Sequence, residues 1–357
     1  MEDKEMNEIK TYEGGKNIYG TEKGKEKVLK RFSMFDGTGV DLTTCDSYED
    51  AMATANLDYT GEKRKLFLED GTEVKNNFCV VKSDDPTVQL GVVGKDYAAV
   101  PNKKAFSIAE QLFDMGEMRF EVGGPSIGAK RTTDYSKSFL VMRGDDIKVE
   151  AVDTEEVFNT FVVFNNSFNG SSGVQYRVLL QRLVCLNGMT RYLGDKKSQL
   201  FITVQHSRGA IDKIRVAHEA LLNRQEEVRA IKAEIEAFAN TPFTKAEFDR
   251  EIIPRVIKMM KLKPLEADPS EVTAADLEKR DLTIQRLWNA YQAEDTQNYN
   301  NTVYKIALAM SDFETHVDPL RDTQNPSLYM NRCLQGFVLT TGIMKYIAET
   351  RNIKVKY

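Results

Sequence analysis

Residues 161–188 read FVVFNNSFNGSSGVQYRVLLQRLVCLNG, and this stretch constrains the fold more than any other. Phe161, Val162, Val163 and Phe164 form one apolar β-type run, and Tyr176 to Cys185 form a second. Between them, Asn165-Asn166-Ser167 and Asn169-Gly170-Ser171-Ser172-Gly173 supply turn chemistry, because Gly and Asn tolerate the positive φ of tight turns. The pattern predicts a strand pair with Arg177 and Arg182 set among Val178, Leu179, Leu180, Leu183 and Val184. A strand pair presenting arginines is a recognition scaffold before it is an enzyme site.

The same stretch opens the most basic segment of an acidic chain. The 357 residues carry a formal charge of −5. Residues 170–232 nevertheless hold eleven Lys and Arg against five Asp and Glu, which leaves −11 for the remainder. A neutral-to-acidic body with one polyanion-binding face has this charge split. The competing explanation puts the basic residues from 208 onward on a solvated helix face. A chain of this length buries a sizeable core and has room for two or three domains.

Cys45, Cys79, Cys185 and Cys333 are scattered with no CxxC pair, which argues for reduced thiols and against a zinc site. The opening MEDKEMNEIK is charged throughout and does not read as a secretory leader. No apolar stretch approaches the roughly 18 residues that cross a bilayer. The expectation is a soluble intracellular protein that does not meet a membrane.

Residues 1–32, rich in Lys, Glu and Gly, are expected to form a mobile charged arm. Residues 33–208 read as an α+β core: a helix N-capped near Ser47, strands at 65–68, 77–82 and 90–93, a helix from Asn102 through Met115, then strands at 119–122, 138–143, 147–152 and 199–203 alongside the two apolar runs. After about Ser207 the period changes. Ile211, Ile214, Ala217, Leu221, Val228, Ile231, Ile235 and Phe238 recur at three- or four-residue steps, predicting one long helix over 210–238. Further helices are expected at 244–262, 274–293, 299–316 and 328–350, with Pro264 and Pro269 marking a connector. Strands first and helices after give an α+β fold: an N-terminal antiparallel sheet with a packed helix, followed by a helical C-terminal region over 209–357.

The motifs that could carry catalysis are weak. Gly123-Gly124-Pro125-Ser126-Ile127-Gly128-Ala129-Lys130 resembles a phosphate loop superficially, but Ala129 separates the last Gly from Lys130, and Arg131 stands where Ser or Thr is needed. A hairpin or bulged loop carrying Lys130 and Arg131 is the better reading. His206, His218 and His316 form no metal-binding spacing. Asp145-Asp146 and Glu155-Glu156 read as turn and cap residues, since adjacent side chains diverge. The expectation is a non-enzymatic protein with no catalytic residue, metal or cofactor.

A binding role has more support. Arg177, Arg182, Arg191, Lys196 and Lys197 lie between 170 and 199 with Asp195 the one acid, and Tyr176 and Tyr192 are interleaved where unpaired bases could stack. Upstream, Lys130, Arg131, Lys137 and Arg143 add cations on a loop and a strand. Phosphate neutralisation needs clustered cations rather than a fixed motif, and any basic sheet edge would look alike.

LGVVGKDYAAVPNKKAF (90–106) resembles a segment of the phage/plasmid-like protein family, domain of unknown function 932. FNNSFNGSSGVQYRVLLQRLVCLNGM (164–189) is similar to that family's Asn-Ser-x-x-Gly-Ser element and the arginine-and-valine strand after it. AMATANLDYT (51–60) and TVYKIALAMSDFETHVDP (302–319) resemble its early and late helices, in the right order. Pro101 and Asn187-Gly188 depart from the family pattern. The resemblance implies a protein of phages, prophages or plasmids, in the cytoplasm of a bacterial host. It brings no assigned catalytic motif. The helix-then-antiparallel-sheet order is similar in outline to single-strand annealing recombinases, an analogy of topology alone.

The expectation is therefore an oligomeric DNA-binding protein that binds or anneals single-stranded DNA in recombination or replication. The alternative is a protein–protein module of a mobile element, an anti-defence or virion-associated factor, with the 210–238 helix mediating assembly.

Overall fold

The computed structural model describes residues 11–12, 16–17, 35, 38–127, 133–151, 154–182, 188–189, 201–222, 224–266, 272–314 and 337–354. The fold is α+β, with antiparallel sheets first and helices after. The strands are β1 (Thr11–Tyr12), β2 (Lys16–Asn17), β3 (Val40–Asp41), β4 (Gly61–Phe67), β5 (Glu73–Lys82), β6 (Gln89–Gly94), β7 (Met118–Ile127), β8 (Thr133–Gly144), β9 (Ile147–Ala151), β10 (Thr154–Ser167), β11 (Val174–Arg182), β12 (Gly188–Met189) and β13 (Phe201–Val204). The helices are α1 (Tyr48–Thr54), α2 (Asn102–Ala105), α3 (Ile108–Asp114), α4 (Ala210–Leu222), α5 (Arg224–Ala239), α6 (Lys245–Glu247), α7 (Ile253–Met259), α8 (Ala274–Tyr291), α9 (Val303–Asp312) and α10 (Val338–Arg351).

The main sheet runs β12-β11-β10-β8-β7-β3, with β13 also on β11 and β9 also on β10. The long strand β10 pairs with β9 through Thr154–Phe158 and with β8 through Phe161–Ser167, so one strand stitches two sheet regions together. β4, β5 and β6 make a separate three-stranded sheet.

Alternation along β8, β10 and β11 divides the core. Leu140, Met142, Val162, Phe164, Tyr176 and Val178 point one way and pack with residues of α1, α3 and α4, including Ala51, Leu112 and Ile214. On the same face but further along, Phe158 and Leu180 join a helical core built around Ile231, Phe238, Ile306 and Met344. The reverse face carries Phe139, Val141, Phe161, Val163 and Leu179, with Phe35 set edge-on against Phe161. Nearly every residue of β11 is buried. Its near-continuous apolar run marks a strand covered on both sides.

Local chemistry fixes most element ends. Ser47 caps α1 by accepting the Asp50 amide, and Thr244 with Glu247 forms a reciprocal capping box at α6. Thr273 and Thr302 cap α8 and α9 in the same way. Between α6 and α7, Phe248–Ile252 widens into a π-helical turn just ahead of Pro254, a place where proline removes an amide and the ladder must adjust.

Several expectations change. The helix predicted from Asn102 through Met115 is two helices, since Phe106 caps the first and Ser107 precedes the second. The helix expected over 210–238 is described as α4 and α5, on either side of residue 223, which lies outside the described residues. Asn165-Asn166-Ser167 belongs to β10 rather than to the turn, which is left to residues 168–173. Glu155 and Glu156 lie in β10, not at a cap. The Gly-rich segment through Ile127 keeps to the expected bulged hairpin: it is the end of strand β7, irregular between Pro125 and Ser126 and paired with β8. The residues expected to form the 1–32 arm lie largely outside the described ones. No helix among the described residues is long and apolar enough to cross a membrane.

Candidate nucleic-acid interface

Of the cations expected to hold phosphates, Arg143, Arg177 and Arg182 are interior. Arg182 is 2 % exposed, and its Nε and Nη2 donate to Glu156 Oε2 and Oε1 at 2.6 and 2.7 Å. Tyr299, arriving from the helical region, donates its hydroxyl to the same Glu156 and turns its ring toward the Arg182 guanidinium, 5.6 Å from centroid to Cζ. Burial, Glu156 and its charge push the Tyr299 phenol far above its ordinary pKa, so it stays a donor. Arg143 is also buried, at the edge of the sheet, with Nη2 donating to Asp146 at 2.9 Å and to Asn159 at 2.6 Å. Arg177 is buried within β11 and takes part in interactions of its own.

Tyr176 is fully buried. Its hydroxyl donates to the Ala105 carbonyl at 2.7 Å, and its ring meets Phe164 and His218 edge-on. It cannot stack on a base without the core opening. A guanidinium or phenol on a strand buried on both faces has no solvent side to present. Of the remaining candidates, Lys137 is half-buried on β8. Lys130, Arg131, Arg191, Tyr192, Lys196 and Lys197 lie outside the described residues, as does His316.

The Asn/Ser/Gly residues of the 161–188 stretch do something sequence reasoning missed. Asn166, fully buried, donates to the Val100 carbonyl at 2.8 Å and to Asn102 Oδ1 at 2.9 Å, and Ser138 donates to the same Asn102 oxygen at 2.6 Å. Asn169 reaches Ser136 Oγ at 2.9 Å, and Tyr97 donates to the Ser167 carbonyl at 2.8 Å. Gly91 passes so close to Asn169 that a β-carbon there would sit 2.6 Å from its backbone. The segments around 90–106 and 164–173 are thus two halves of one clasp, which ties the loop before α2 to the turn after β10. The only sequence signal was the density of short amides and hydroxyls beside apolar strands.

The chain matches the model of a family described as Domain of unknown function (DUF932) over residues 89–334. The chain belongs to this family. No curated protein and no solved structure matches it. The DUF932 match starts in β6 and runs through the clasp, all strands of the main sheet except β3, and α4 to α9.

Exposed cations are found elsewhere on this DUF932 fold. Residues 94–105 and 205–216 hold Lys95, Lys103, Lys104, Arg208, Lys213 and Arg215 against Asp96 and Asp212. All six cations are exposed. Lys103 pairs with Asp58 at 3.0 Å, while the other five have no ion-pair partner among the described residues. The two segments meet: the Ala98 amide donates to the His206 carbonyl at 3.2 Å, and α2 packs on α4. Tyr176 bridges α2 and α4 internally through Ala105 and His218.

A cleft of about 480 Å³ opens at the other side of the sheet, between β3, β7 and the end of β8. Asp41, Glu117, Glu121, Asp145 and Asp146 line it beside Arg119 and Arg143, so its net charge opposes a polyanion. Thr43 holds the Asp41 carboxyl below its ordinary pKa through amide and hydroxyl hydrogen bonds. Among the described residues no group of three His, Cys, Asp or Glu side chains comes together as a metal site.

Proposed function

We propose that this DUF932 protein binds DNA without catalysing a reaction on it, acting on single strands in the recombination or replication of a phage or plasmid. The observation that carries the reading is the corner where the loop before α2 meets the start of α4. Five exposed cations there have no ion-pair partner among the described residues, against two acids on the same segments. Uncompensated cations on a surface are what counterion release requires, and their net worth depends on number rather than on a motif. The helix ahead of an antiparallel sheet fits the outline of single-strand annealing proteins, as topology only. A homo-oligomer on the DNA follows from the same reading.

Fluorescence anisotropy of a labelled oligothymidylate across a salt series tests it. Log affinity should fall with log salt by about 0.7 per phosphate neutralised. Lys104→Ala, Arg208→Ala and Arg215→Ala combined should flatten that slope by roughly 2. No binding by the intact protein at low salt removes the proposal.

A protein contact is the second reading, and one observation favours it. Phe67 and Leu68, at the tip of the β4–β5 hairpin, are 59 % and 57 % exposed. Sedimentation of Phe67→Ser/Leu68→Ser against the unaltered chain tests whether this tip holds copies or partners together.

A further inference from the structure

The acidic cleft beside β3 is bounded along one side by seven consecutive residues, 116–122, on β7 and its approach. Successive side chains of a strand point to opposite faces, so an unbroken run of neighbours lines one space through its backbone edge. Met118 and Phe120 are indeed buried in the core, while Arg119 between them is exposed. The cleft is therefore the open margin of the main sheet. β7 has β8 on one side and only the two-residue β3 on the other. β3 pairs through Val40 with Gly123 and Asp41 with Val122, and the Leu42 amide adds a bond to the Glu121 carbonyl. There the chain turns away toward α1, with the Cys45 amide on the Leu42 carbonyl. From Phe120 back to Met118 no strand among the described residues flanks β7 on this side. Alternate residues of a strand paired on one side turn their amide and carbonyl outward, ready for another strand.

The charge of the cleft says what kind of strand fits. Its five carboxylates stand beside Arg119 and Arg143, and Arg224 of α5 pairs with Glu117. Five acids against three arginines leave an excess of two negative charges. Asp41 of β3 and Asp145 of the β8–β9 turn are both exposed. We propose that this cleft takes an extended, lysine- or arginine-bearing segment of a partner protein, which adds to β7 as a strand in line with β3. Main-chain hydrogen bonds along residues 118–120 supply affinity, and the carboxylates select basic side chains at alternate positions. In the β3 register the open stretch lies beyond Asp41, where the chain departs for α1, which favours a segment from another molecule. The acidic lining repels a nucleic-acid backbone, so this surface is separate from the cationic corner and stands without the DNA-binding reading.

The test uses the full chain and a labelled Lys-Val-Lys-Val-Lys-Val peptide in fluorescence anisotropy. Six residues at about 3.4 Å each span the open margin. This peptide should bind, and Glu-Val-Glu-Val-Glu-Val should not. Methylating alternate peptide amides keeps the charge but removes the hydrogen bonds along one edge, so a loss of roughly tenfold or more is expected. Asp41→Asn/Asp145→Asn alters exposed side chains only and should weaken the basic peptide roughly fivefold, with melting temperature and oligonucleotide affinity unchanged. Outward-facing amides of residues 118–120 should exchange fast in the free chain and slowly with the peptide bound. Full affinity of the methylated peptide would reduce the contact to charge alone and overturn strand addition. Equal binding of the acidic peptide would overturn the choice of a basic partner. Slow exchange of the same amides in the free chain, or no binding of the basic peptide, would show the margin already closed and overturn the proposal.

Discussion

Arg182 and Glu156 face each other in the interior as a two-pronged ion pair, 2.6 and 2.7 Å between donors and acceptors. They come from adjacent strands, near the Phe158–Arg182 register pair that ends the β10–β11 ladder. Tyr299 closes the arrangement from the helical side, so β11 and a segment 143 residues away converge on one carboxylate of β10. Desolvation of both ions makes the intact pair a poor source of stability, while removing one partner strands a buried charge. Arg182→Ala should therefore cost about 3–5 kcal/mol in denaturant unfolding. Arg182→Met with Glu156→Leu should recover most of that loss, because neither charge is then left alone. A double variant as unstable as the single one would mean that the pair's geometry is needed for docking the helices.

The same pair shows what the sequence made legible and what it did not. Order and type of elements could be read because apolar period and capping residues act locally: Ser47 and Thr244 cap where their side chains reach the next turn. The destination of Arg177 and Arg182 could not be read from charge alone. A guanidinium on a strand is exposed or interior depending on what packs over it, and the cover for Arg182 is Tyr299, more than a hundred residues away. A clue was present in the unbroken apolar run of β11, which signals burial on both faces. The amide-rich residues near Asn166 likewise suggested a turn, since local sequence cannot show that Val100 and Asn102 await their hydrogen bonds.

Tyr176→Phe isolates one of those long-range bonds. It removes the hydroxyl that donates to the Ala105 carbonyl and keeps the ring among Phe164 and His218. A loss of about 1–2 kcal/mol is expected, the worth of a buried hydrogen bond plus an unsatisfied carbonyl. Oligonucleotide affinity should stay unchanged, because the side chain is enclosed. A selective loss of affinity with native stability would restore Tyr176 to the binding surface.

Stability should depend on pH through two histidines. Burial lowers the ring pKa of both His206 and His218 to about 4, and the Ala98 backbone only partly offsets this at His206. Among the described residues neither ring nitrogen of His206 makes a well-formed hydrogen bond, and the ring stacks on Tyr97 at 4.8 Å. As pH falls through about 6.5 the unfolded chain takes up protons first, so it is favoured progressively down to pH 4. Stability is full above that window and declines within it, by on the order of 3 kcal/mol for His206. Melting temperatures should be level from pH 7 to 8 and drop between 6.5 and 4. His206→Phe keeps the stack and should flatten part of the drop. Identical profiles for the variant and the parent would show that His206 gains a partner in solution.

Gly91 offers the sharpest test of the clasp. It lies in β6, opposite Val80, where the register shifts by one residue between Val80 and Val81. A β-carbon at Gly91 would meet Asn169 at its α- and β-carbons, both 2.6 Å away, with no flexible side-chain end to yield. Asn169 cannot retreat freely, because it holds Ser136, Ser167 and the Ser171 amide at once. Gly170 beyond it sits at φ +75°, a conformation that disfavours any larger residue. Gly91→Ala should thus push the turn outward and break several of these bonds together, costing about 2–4 kcal/mol despite adding a single methyl group. Asn169→Gly in the same chain relieves the clash at its β-carbon but not at its backbone, so rescue should be partial. Amide exchange should rise first in residues 166–173 and in the loop before α2, since the clasp is the tie between them. Exchange that rises only within β4, β5 and β6 would show that the small sheet absorbs the strain and that the clasp does not couple the two segments.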